Sequence, residues 1–385
     1  MNKVNKKIGV CTYLHENYGS CLQAYALSKT LNKLGYQVRF FERKRTIVIA
    51  MKYALITLFT NPSSFFKKLL LKTGLKKNET KYNMTEEQKD KIINFKKNNL
   101  KIQYCTFTEM KKLSTTQEYV AFISGSDQIW GGEKLYWTGF EFLTFAPDKK
   151  KIAYAPSIGT NIAWYNKAKF RKNIKKFNLA SVREQQAADE IYAITKLRLE
   201  VLPDPTVLLE KSDWENLCKD SSVIKDEYIL TYFLDNLSEI AISHILKLKV
   251  EKEYKIVNIL NSNNISEKID LDSNIEASPE EWTSLISKSK IVCTDSFHGT
   301  MFALIFHKEF YVYERQYKET GSQASRIINV LNQTGLSNRF VIDESQDISS
   351  QIDWIAIDKI SEQNRSRGKK FLEEAIRVVK NKEEV

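Results

Sequence analysis

The sequence predicts an α/β protein of two Rossmann-like, doubly wound domains with the active site in the cleft between them. Short apolar runs typical of buried strands alternate with amphipathic helical segments along most of the chain, which indicates parallel sheets covered by helices. The alternation restarts after the proline-bracketed segment VLPDPTVLL at residues 201–209. The length of 385 residues also exceeds what a single hydrophobic core usually supports.

The composition limits the kinds of partner. The chain is 42% hydrophobic and 28% charged, as ordinary globular proteins are. Its net charge of +12 favours an anionic partner, for which nucleic acid, a lipid surface and a phosphorylated substrate are the alternatives. We expect no nucleic-acid partner, because the lysines are spread through helical stretches and the sequence carries no RNA-binding motif, zinc finger or basic-leucine pattern.

The cysteines and the first residues predict a cytoplasmic location. Five cysteines are scattered along the chain without a CxxC pair, so neither a zinc site nor a redox centre is expected. The start, MNKVNKKIGVCTYL, has only a short apolar run before polar residues. That pattern indicates a first strand and not a secretory signal.

The first domain is predicted to span residues 1–205 and to open with a strand, a loop and a helix. KIGVCTY reads as the strand, and the amphipathic helix ends at Gly35. Asn17, Tyr18 and Gly19 follow the first strand at its carboxyl end, where open α/β sheets bind ligands. A tight turn without a ligand is the alternative interpretation.

Residues 46–77 interrupt the alternation with two apolar, lysine-bearing helical segments, each shorter than the roughly 20 residues that span a bilayer. They form either a helical pair in the interface of an anionic membrane, which would suit a lipid-linked substrate, or a hairpin packed on its own domain. Residues 78–101 are predicted as a polar, solvated helical connector. The helical insertion into the first domain thus covers residues 46–100.

Further polar loops follow predicted strands of the first domain. Asp127, after a buried strand, could hold a substrate hydroxyl or act as a base, and the nearby Trp130 could stack on a sugar ring. Arg183 follows another short strand, and its fork-shaped guanidinium matches phosphate or carboxylate. The alternative for Arg183 is a surface ion pair with Glu184 or a neighbouring residue.

The second domain is predicted over residues 206–360, with a C-terminal helix at 361–385 that can pack back on the first domain. Strands and helices alternate again, and Ser278 followed by Pro279 marks the start of one helix. A later helix carries Arg326 near its start.

An apolar strand at residues 291–293 runs into the polar elbow TDSFHGT and then into a helix. His298 lies at this junction, where free N–H groups and the positive end of the helix dipole form an anion site. A histidine beside a bound anion suggests acid/base chemistry. The alternative is a simple helix cap with a satisfied surface histidine.

Several motifs taken in order connect the chain to a known family. They are NYGSCLQAYAL, FISGSDQIW, KIAYAPSIG, SVRE, LPDPTVLL, TDSFHGTMFALIF and a later Ser-Arg pair before a helix. In this order and at these spacings the chain resembles the polysaccharide pyruvyl transferase family. The resemblance implies a two-domain glycosyltransferase-B-like fold. It also implies transfer of the enolpyruvyl carbons of phosphoenolpyruvate to two hydroxyls of a sugar, which gives a cyclic pyruvate ketal.

The resemblance implies roles for individual residues. His298 would be the catalytic acid that protonates the methylene carbon of the enol ether, and the base in a later step, with Asp127 as the second catalytic candidate. The donor would be held by two arginines and the helix start: Arg183, Arg326, Ser296, Gly299 and Thr300. The acceptor sugar would face residues of the first domain: Asn17, Tyr18, Gly19, Gln23, Asp127 and Trp130.

Phosphoenolpyruvate is the implied co-substrate, with no metal and no further cofactor. The implied acceptor is a sugar in a capsule, exopolysaccharide or wall-polymer precursor, of which an undecaprenyl-linked oligosaccharide is one form. An acceptor of that form would hold the enzyme as a peripheral protein on the inner face of the membrane.

One departure from the family pattern leaves the donor open. Members with an established pyruvyl donor often carry Arg-Leu-His-Gly at the elbow, whereas this chain has Ser296, Phe297, His298 and Gly299. A phosphate-binding arginine is therefore missing from the expected place. A nucleotide-sugar donor, which the same cleft and helix dipole would accept, makes a glycosyltransferase of the B fold the alternative. A non-enzymatic carbohydrate-binding role would leave the histidine and the two arginines without a task.

Overall fold

The structure is a computed structural model that describes residues 6–44, 84–131, 137–159, 161–218, 224–261, 265, 268–315, 325–343, 346 and 351–382. Over these ranges the chain forms two α/β domains, each built on a fully parallel sheet. The predicted fold class is confirmed. The helical pair predicted at residues 46–77 lies outside the described residues.

The first domain contains a seven-stranded sheet. Its strands are β1 (Lys7–Cys11), β2 (Gln37–Arg43), β3 (Ile102–Cys105), β4 (Tyr119–Ser124), β5 (Lys151–Ala153), β6 (Leu179–Val182) and β7 (Glu200–Val201). Its helices are α1 (Tyr18–Lys33), α2 (Glu86–Asn99), α3 (Phe107–Ser114), α4 (Lys167–Ile174), α5 (Gln185–Thr195) and α6 (Lys211–Glu215). The strand order β3-β2-β1-β4-β5-β6-β7 reverses between β1 and β4. The loops that follow these two strands therefore diverge and open a crevice at the carboxyl edge.

The second domain contains a six-stranded sheet with the same kind of reversal. Its strands are β8 (Tyr228–Tyr232), β9 (Lys255–Ile259), β10 (Ser273–Ile275), β11 (Ile291–Thr294), β12 (Glu309–Tyr313) and β13 (Phe340–Val341). Its helices are α7 (Glu239–Lys252), α8 (Pro279–Lys288), α9 (Phe297–Ile305) and α10 (Ser325–Thr334), followed by the C-terminal α11 (Trp354–Asn381). In the order β10-β9-β8-β11-β12-β13 the reversal lies between β8 and β11, beside the elbow that carries His298.

Local sequence sets where the site-forming helices begin. Asn17 caps α1, because its side chain accepts a hydrogen bond from the Ser20 N–H at 2.7 Å. The Ser278 cap and Pro279 start predicted for α8 are confirmed, and Glu281 completes a capping box with Ser278. Such caps satisfy N–H groups that the first turn leaves without partners.

The two domains pack together through α1, α2 and α8. Tyr18 on α1 stacks on Trp282 of α8, with ring centroids 5.6 Å apart, and its hydroxyl donates to the Ala277 carbonyl at 2.9 Å. Gln88 on α2 donates both to the Tyr18 hydroxyl and to the Leu260 carbonyl, each at 2.6 Å. Buried aromatic stacking and three hydrogen bonds between buried groups hold the domains together at this contact.

The described part of the predicted connector is more than a solvated helix. Ile92 and Phe95 on α2 are almost fully buried in the main hydrophobic core, and Gln88 lies between the domains. The expectation of a solvated connector is wrong for these residues. The apolar stripe of α2 is narrow and lies among many lysines and acidic residues, so the composition of the segment does not reveal it.

Helix α11 lies across both domains. Trp354 at its start stacks on His307 of the second domain, with ring centroids 4.9 Å apart. Gly368, at its middle, lies against Leu208 and Tyr154 of the first domain so closely that an added Cβ would meet the Tyr154 hydroxyl at 2.6 Å. Across the ranges that the structure describes, no helix combines the length and apolar character needed to cross a membrane.

Candidate functional site

The elbow after β11 is held in shape by its own side chains. The Thr294 hydroxyl donates to the Tyr232 carbonyl at 2.6 Å and accepts from the Ser296 N–H at 3.0 Å. Ser296 caps α9 by accepting from the Gly299 N–H at 3.3 Å. A Cβ on Gly299 would meet the Thr294 hydroxyl oxygen at 2.6 Å, so the close approach requires glycine.

Two of the predicted donor-binding residues are thus occupied in building the helix start. The Ser296 side chain caps the helix, and Thr300 is fully buried with its hydroxyl donating back to the Ser296 carbonyl at 3.0 Å. Within the described ranges, the N–H groups of Phe297 and His298 have no hydrogen-bond partner. The predicted anion site therefore reduces to these two N–H groups and the dipole of α9.

Asp295 fixes the neighbouring loop after β8. Its carboxylate accepts hydrogen bonds from the N–H groups of Leu234 at 2.7 Å and Asp235 at 3.0 Å. Burial raises the pKa of this carboxyl to about 6, while Arg315, whose Nε lies 3.5 Å from Oδ2, acts in the opposite direction. Asp295 thus ties the two strand ends on either side of the reversal in the second sheet.

Arg183 lies at the centre of a buried ionic network in the first domain. It is 5% exposed, and its Nη2 pairs with Asp204 Oδ2 at 2.9 Å and donates to the Ser126 hydroxyl at 2.6 Å. Asp127 Oδ1 lies 3.8 Å from Nη1. Nε and Nη1 of Arg183 have no hydrogen-bond partner among the described residues. The surface ion pair considered for Arg183 is wrong, because the side chain is buried and its partner is Asp204.

Asp204 is the residue that the sequence interpretation passed over as part of a rigid connector. Its Oδ1 accepts from the Thr206 N–H at 2.9 Å and hydroxyl at 2.8 Å, and Oδ2 faces Arg183. Burial alone would raise the pKa of this carboxyl, but Arg183, His298 and the Thr206 N–H hold it well below its usual range. The sequence feature that could have identified Asp204 as a site residue is an acidic side chain between two prolines at the end of a strand.

His298 brings the second domain to this network. Its Nε2 lies 3.7 Å from Asp204 Oδ2, which is beyond hydrogen-bond distance but close enough for strong attraction once the ring is protonated. In the part of the chain that is described, this buried nitrogen has no hydrogen-bond partner. The structure therefore places an imidazole nitrogen without a hydrogen-bond partner beside an ionised carboxylate.

Phe297 separates two buried guanidinium groups. The central carbon of Arg183 lies 5.5 Å and that of Arg326 lies 5.6 Å from the centroid of its ring. Burial, and then the positive charge of Arg183, lowers the pKa of Arg326 to about 10. Two cations held together in a low-dielectric site attract an anion strongly.

A cavity of about 730 Å³ opens beside this pair of arginines. Arg183, Asp204, Phe297 and Arg326 line one part of it, and the α11 residues from 358 to 367 line another. Donor-sized ligands occupy cavities of this order. The predicted donor-binding arginines thus line the same cavity as residues of the proline-bracketed segment.

The loop before α1 meets the histidine across the domain boundary. A Cβ added to Gly19 would lie 2.0 Å from His298 Nδ1, so the glycine backbone forms the surface against which the imidazole packs. Tyr18 and Gln23 are buried in the interface and the core, and Asn17 caps α1. Of the predicted acceptor residues on this helix, Gly19 is the one in contact with the catalytic candidate.

Replacing Gly19 with alanine is expected to displace the His298 ring. Overpacking of this kind costs about 1–3 kcal/mol of unfolding free energy. A misplacement of about 1 Å in a reacting group lowers kcat/KM by about a hundredfold. Urea unfolding and steady-state rates of the purified variant measure both. In a His298→Ala background the added methyl has room, so an equal loss of stability there would show that the contact is not the cause.

Trp130 does not form the sugar platform expected from the sequence. Its side chain is fully buried, its indole N–H donates to the Glu141 carbonyl at 3.0 Å, and it packs on Phe142 and Phe170. The expectation for Trp130 is wrong because the second core of the first domain needs this large side chain. Asp127, on the same turn, remains at the edge of the Arg183 network.

Comparisons with known proteins agree with this architecture. The UDP-GlcNAc 2-epimerase from Neisseria meningitidis, solved with UDP-GlcNAc, is similar at 12% identity and a TM-score of 0.51, over 96% of this chain and 99% of that one. The UDP-GlcNAc 2-epimerase from Methanocaldococcus jannaschii is similar at 12% identity and a TM-score of 0.48, over 93% and 91% of the chains. The first of these supports the two-domain glycosyltransferase-B-like fold.

No curated protein matches the sequence. The family model described as polysaccharide pyruvyl transferase matches residues 17–317, a stretch that contains Gly19, Asp127, Arg183, Asp204 and His298. With most of its length matched, this chain belongs to the polysaccharide pyruvyl transferase family.

Proposed function

We propose that the protein transfers the enolpyruvyl group of phosphoenolpyruvate to two hydroxyls of a sugar in a polysaccharide or lipid-linked oligosaccharide precursor. The observation that carries the proposal is the meeting of His298 with two buried arginines and the ionised Asp204 at the start of α9. A small anion that carries both a carboxylate and a phosphate needs cations of this kind, and the ketal needs an acid beside them.

Arg326 supports a pyruvyl donor despite the serine at position 296. The family pattern places an arginine at the elbow, where this chain has the helix-capping Ser296. Arg326 comes from α10, but its guanidinium reaches the ring of Phe297, the next residue along the elbow. We propose that Arg326 supplies the positive charge that the elbow lacks, so that two guanidiniums flank the phosphate.

The proposed ketal formation uses one proton donor, His298, and two hydroxyls of the acceptor sugar. His298 gives its proton to the methylene carbon, which becomes a methyl group, and the positive charge that develops on the adjacent carbon is attacked by the first sugar hydroxyl. The carbon–oxygen bond to phosphate then breaks, and phosphate leaves with the bonding electrons. The second hydroxyl attacks the resulting oxocarbenium ion and closes the ketal. Of the two hydroxyl protons, one restores His298 and the other leaves with phosphate.

Asp204 has a distinct part in the proposed mechanism. Its carboxylate, held by Arg183, faces the ring nitrogen at 3.7 Å and is proposed to position the imidazole for the reaction. The Asp127 carboxylate, 3.8 Å from the same arginine, is proposed to accept a proton from a sugar hydroxyl. Phosphoenolpyruvate is proposed as the co-substrate, with the arginines supplying the positive charge and no further cofactor.

A nucleotide-sugar donor is the second candidate, and the size of the cavity favours it. The cavity of about 730 Å³ reaches from the arginines along α11, farther than a three-carbon donor needs. Such a donor would set its diphosphate against the same two arginines and the dipole of α9. In that case the protein would be a glycosyltransferase of the B fold.

The two donors are separated by what the enzyme releases. We expect the protein, incubated with phosphoenolpyruvate and nitrophenyl galactosides or lipid-linked acceptors, to release inorganic phosphate only when an acceptor is present. Mass spectrometry should then show the acceptor heavier by a ketal-linked pyruvate. Absence of phosphate release, together with turnover of a UDP-sugar, would rule out the pyruvyl donor. Membrane association through a lipid-linked acceptor is tested separately, by flotation with anionic vesicles.

A further inference from the structure

An exposed pair of aromatic side chains lies on the loop that borders the site. Trp164 is 82% exposed and Tyr165 is 37% exposed, whereas large aromatic residues are mostly buried elsewhere in the described chain. Their rings meet edge to face, with centroids 5.7 Å apart and an interplanar angle of 80°. The pair begins the short 3₁₀ helix Trp164–Asn166, which leads into α4. We call these two residues the rim pair.

The loop that carries the rim pair is tied to the catalytic network. It follows β5 and therefore leaves the sheet at the carboxyl edge, where the crevice opens. Ser157 in this loop donates its N–H to the Asp127 carbonyl at 2.8 Å and its hydroxyl to Glu184 at 2.8 Å. Glu184 follows Arg183 directly in the chain. The loop thus contacts both the acceptor-side and the donor-side segments.

A second anchor fixes the end of the loop. The N–H of Ile162 donates to Glu190 Oε1 on α5 at 2.6 Å. Since α5 starts two residues after Arg183, this bond holds the rim pair within a few turns of helix from the donor arginines. The rings are exposed on a backbone that is anchored just before them at Ser157 and Ile162 and continues into α4, which suits a preformed binding surface.

The chemistry of the rim pair matches the apolar face of a sugar ring. Because the two rings meet edge to face, the Tyr165 ring stands nearly perpendicular to the flat face of the Trp164 indole. Aromatic rings of this kind are large, rigid and amphipathic. Protein-binding patches on monomers usually extend over several hundred Å², which two side chains do not supply. The rim pair is therefore suited to a neutral sugar rather than to a protein partner.

We propose that Trp164 and Tyr165 form a platform that binds a neutral sugar residue of the acceptor chain, one or more units away from the sugar that receives pyruvate. The proposal rests on the proposed function for the identity of the reacting sugar, but not for the binding itself. The proposal assigns to Trp164 the sugar-stacking role that was expected of Trp130 from the sequence. Trp130 is buried, whereas a glycan can reach Trp164.

Binding is tested without any reaction, by affinity gel electrophoresis of the full chain. The gels contain, in turn, neutral polysaccharides built from galactose, mannose, glucose or N-acetylhexosamine. We expect at least one to retard the native protein, and Trp164→Leu to weaken that retardation about tenfold in apparent affinity. Trp164→Phe keeps a flat ring and should retain most of the binding. This pair of variants separates stacking from simple apolar contact.

Two results would overturn the platform. One is that no polysaccharide of the panel retards the native protein, and the other is that Trp164→Leu is retarded as strongly as Trp164→Phe. A native dimer that Trp164→Leu dissociates in sedimentation would also overturn it, since the rim pair would then be a subunit contact. Val250→Ala, which changes an exposed apolar side chain on α7 of the other domain, is the matched control and should leave retardation unchanged.

The failure of the platform is distinguishable from the failure of the proposed function. If the enzyme uses phosphoenolpyruvate, Trp164→Leu should release phosphate with a nitrophenyl monosaccharide at the native rate. With acceptors of increasing length its KM should rise about tenfold relative to the native protein. Retardation that depends on Trp164, without phosphate release by any variant, would leave the platform standing and remove the pyruvyl donor.

Discussion

Replacement of His298 by alanine is expected to lower kcat/KM by about 10²–10⁴-fold, the usual contribution of a positioned proton donor. The ring has the geometry of such a donor, because its Nε2 lies 3.7 Å from Asp204 and makes no hydrogen bond to any described residue. Stability should fall little, since the lost contacts are the packing on Gly19, an edge contact with Phe297 and the 3.7 Å approach to Asp204, which keeps its ion pair with Arg183. Phosphate release and urea unfolding measure the two quantities.

His244→Ala is the matched control for His298. His244 is also a histidine of the second domain, but it is buried away from the elbow, with Nδ1 2.8 Å from the Tyr313 hydroxyl. Its replacement should lower the free energy of unfolding by about 1–3 kcal/mol, because the tyrosine hydroxyl loses one of its two partners among the described residues and keeps the weak hydrogen bond to Cys293 Sγ. It should leave kcat/KM of the folded protein unchanged. The opposite outcome, a stable and active His298→Ala protein, would remove His298 from the mechanism.

Replacement of Arg183 by methionine is expected to cost both donor binding and stability. The change removes one of the two guanidiniums at Phe297 and leaves Asp204 as a buried carboxylate without its cation. Breaking a buried pair in this way costs about 3–5 kcal/mol of unfolding free energy. The second change Asp204→Asn should restore much of the stability, because the uncompensated charge is gone, but not the activity.

The same pair predicts a pH dependence with a definite sign. The folded-state pKa of Asp204 lies below its usual range, so its stabilising contribution is complete above the unfolded pKa of about 3.9 and is lost as the pH falls below it. The stability difference between native protein and Arg183→Met should therefore be largest at neutral pH and shrink below about pH 4. Unfolding curves at a series of pH values test this. A difference that stays constant across the series would contradict the assigned ion pair.

The alternation of strands and helices was enough to predict the fold, because parallel sheets with helices on both faces leave a strong period in the sequence. The elbow at His298 and the position of Arg183 after β6 also followed from strand ends, since function gathers at that edge of an α/β sheet. These features depend on neighbours in the chain.

The features that could not be predicted from the sequence depend on contacts between residues that are far apart in the chain. Asp204 is a site residue only because β7 ends beside Arg183, and its flanking prolines suggested a linker instead. Trp130 and the exposed Trp164 are the same residue type on neighbouring loops, and only packing decides which one is buried. Arg326 lies 30 residues beyond Ser296 in sequence yet reaches the same ring.

The contact between Gly19 and His298 has a consequence for side reactions. The histidine belongs to one domain, whereas the glycine backbone, Arg183 and Asp204 belong to the other. Because Arg183 and Asp204 lie on the first domain, His298 faces them only while the two domains are packed together. In the proposed mechanism the reactive intermediate therefore forms only between packed domains, where water is excluded.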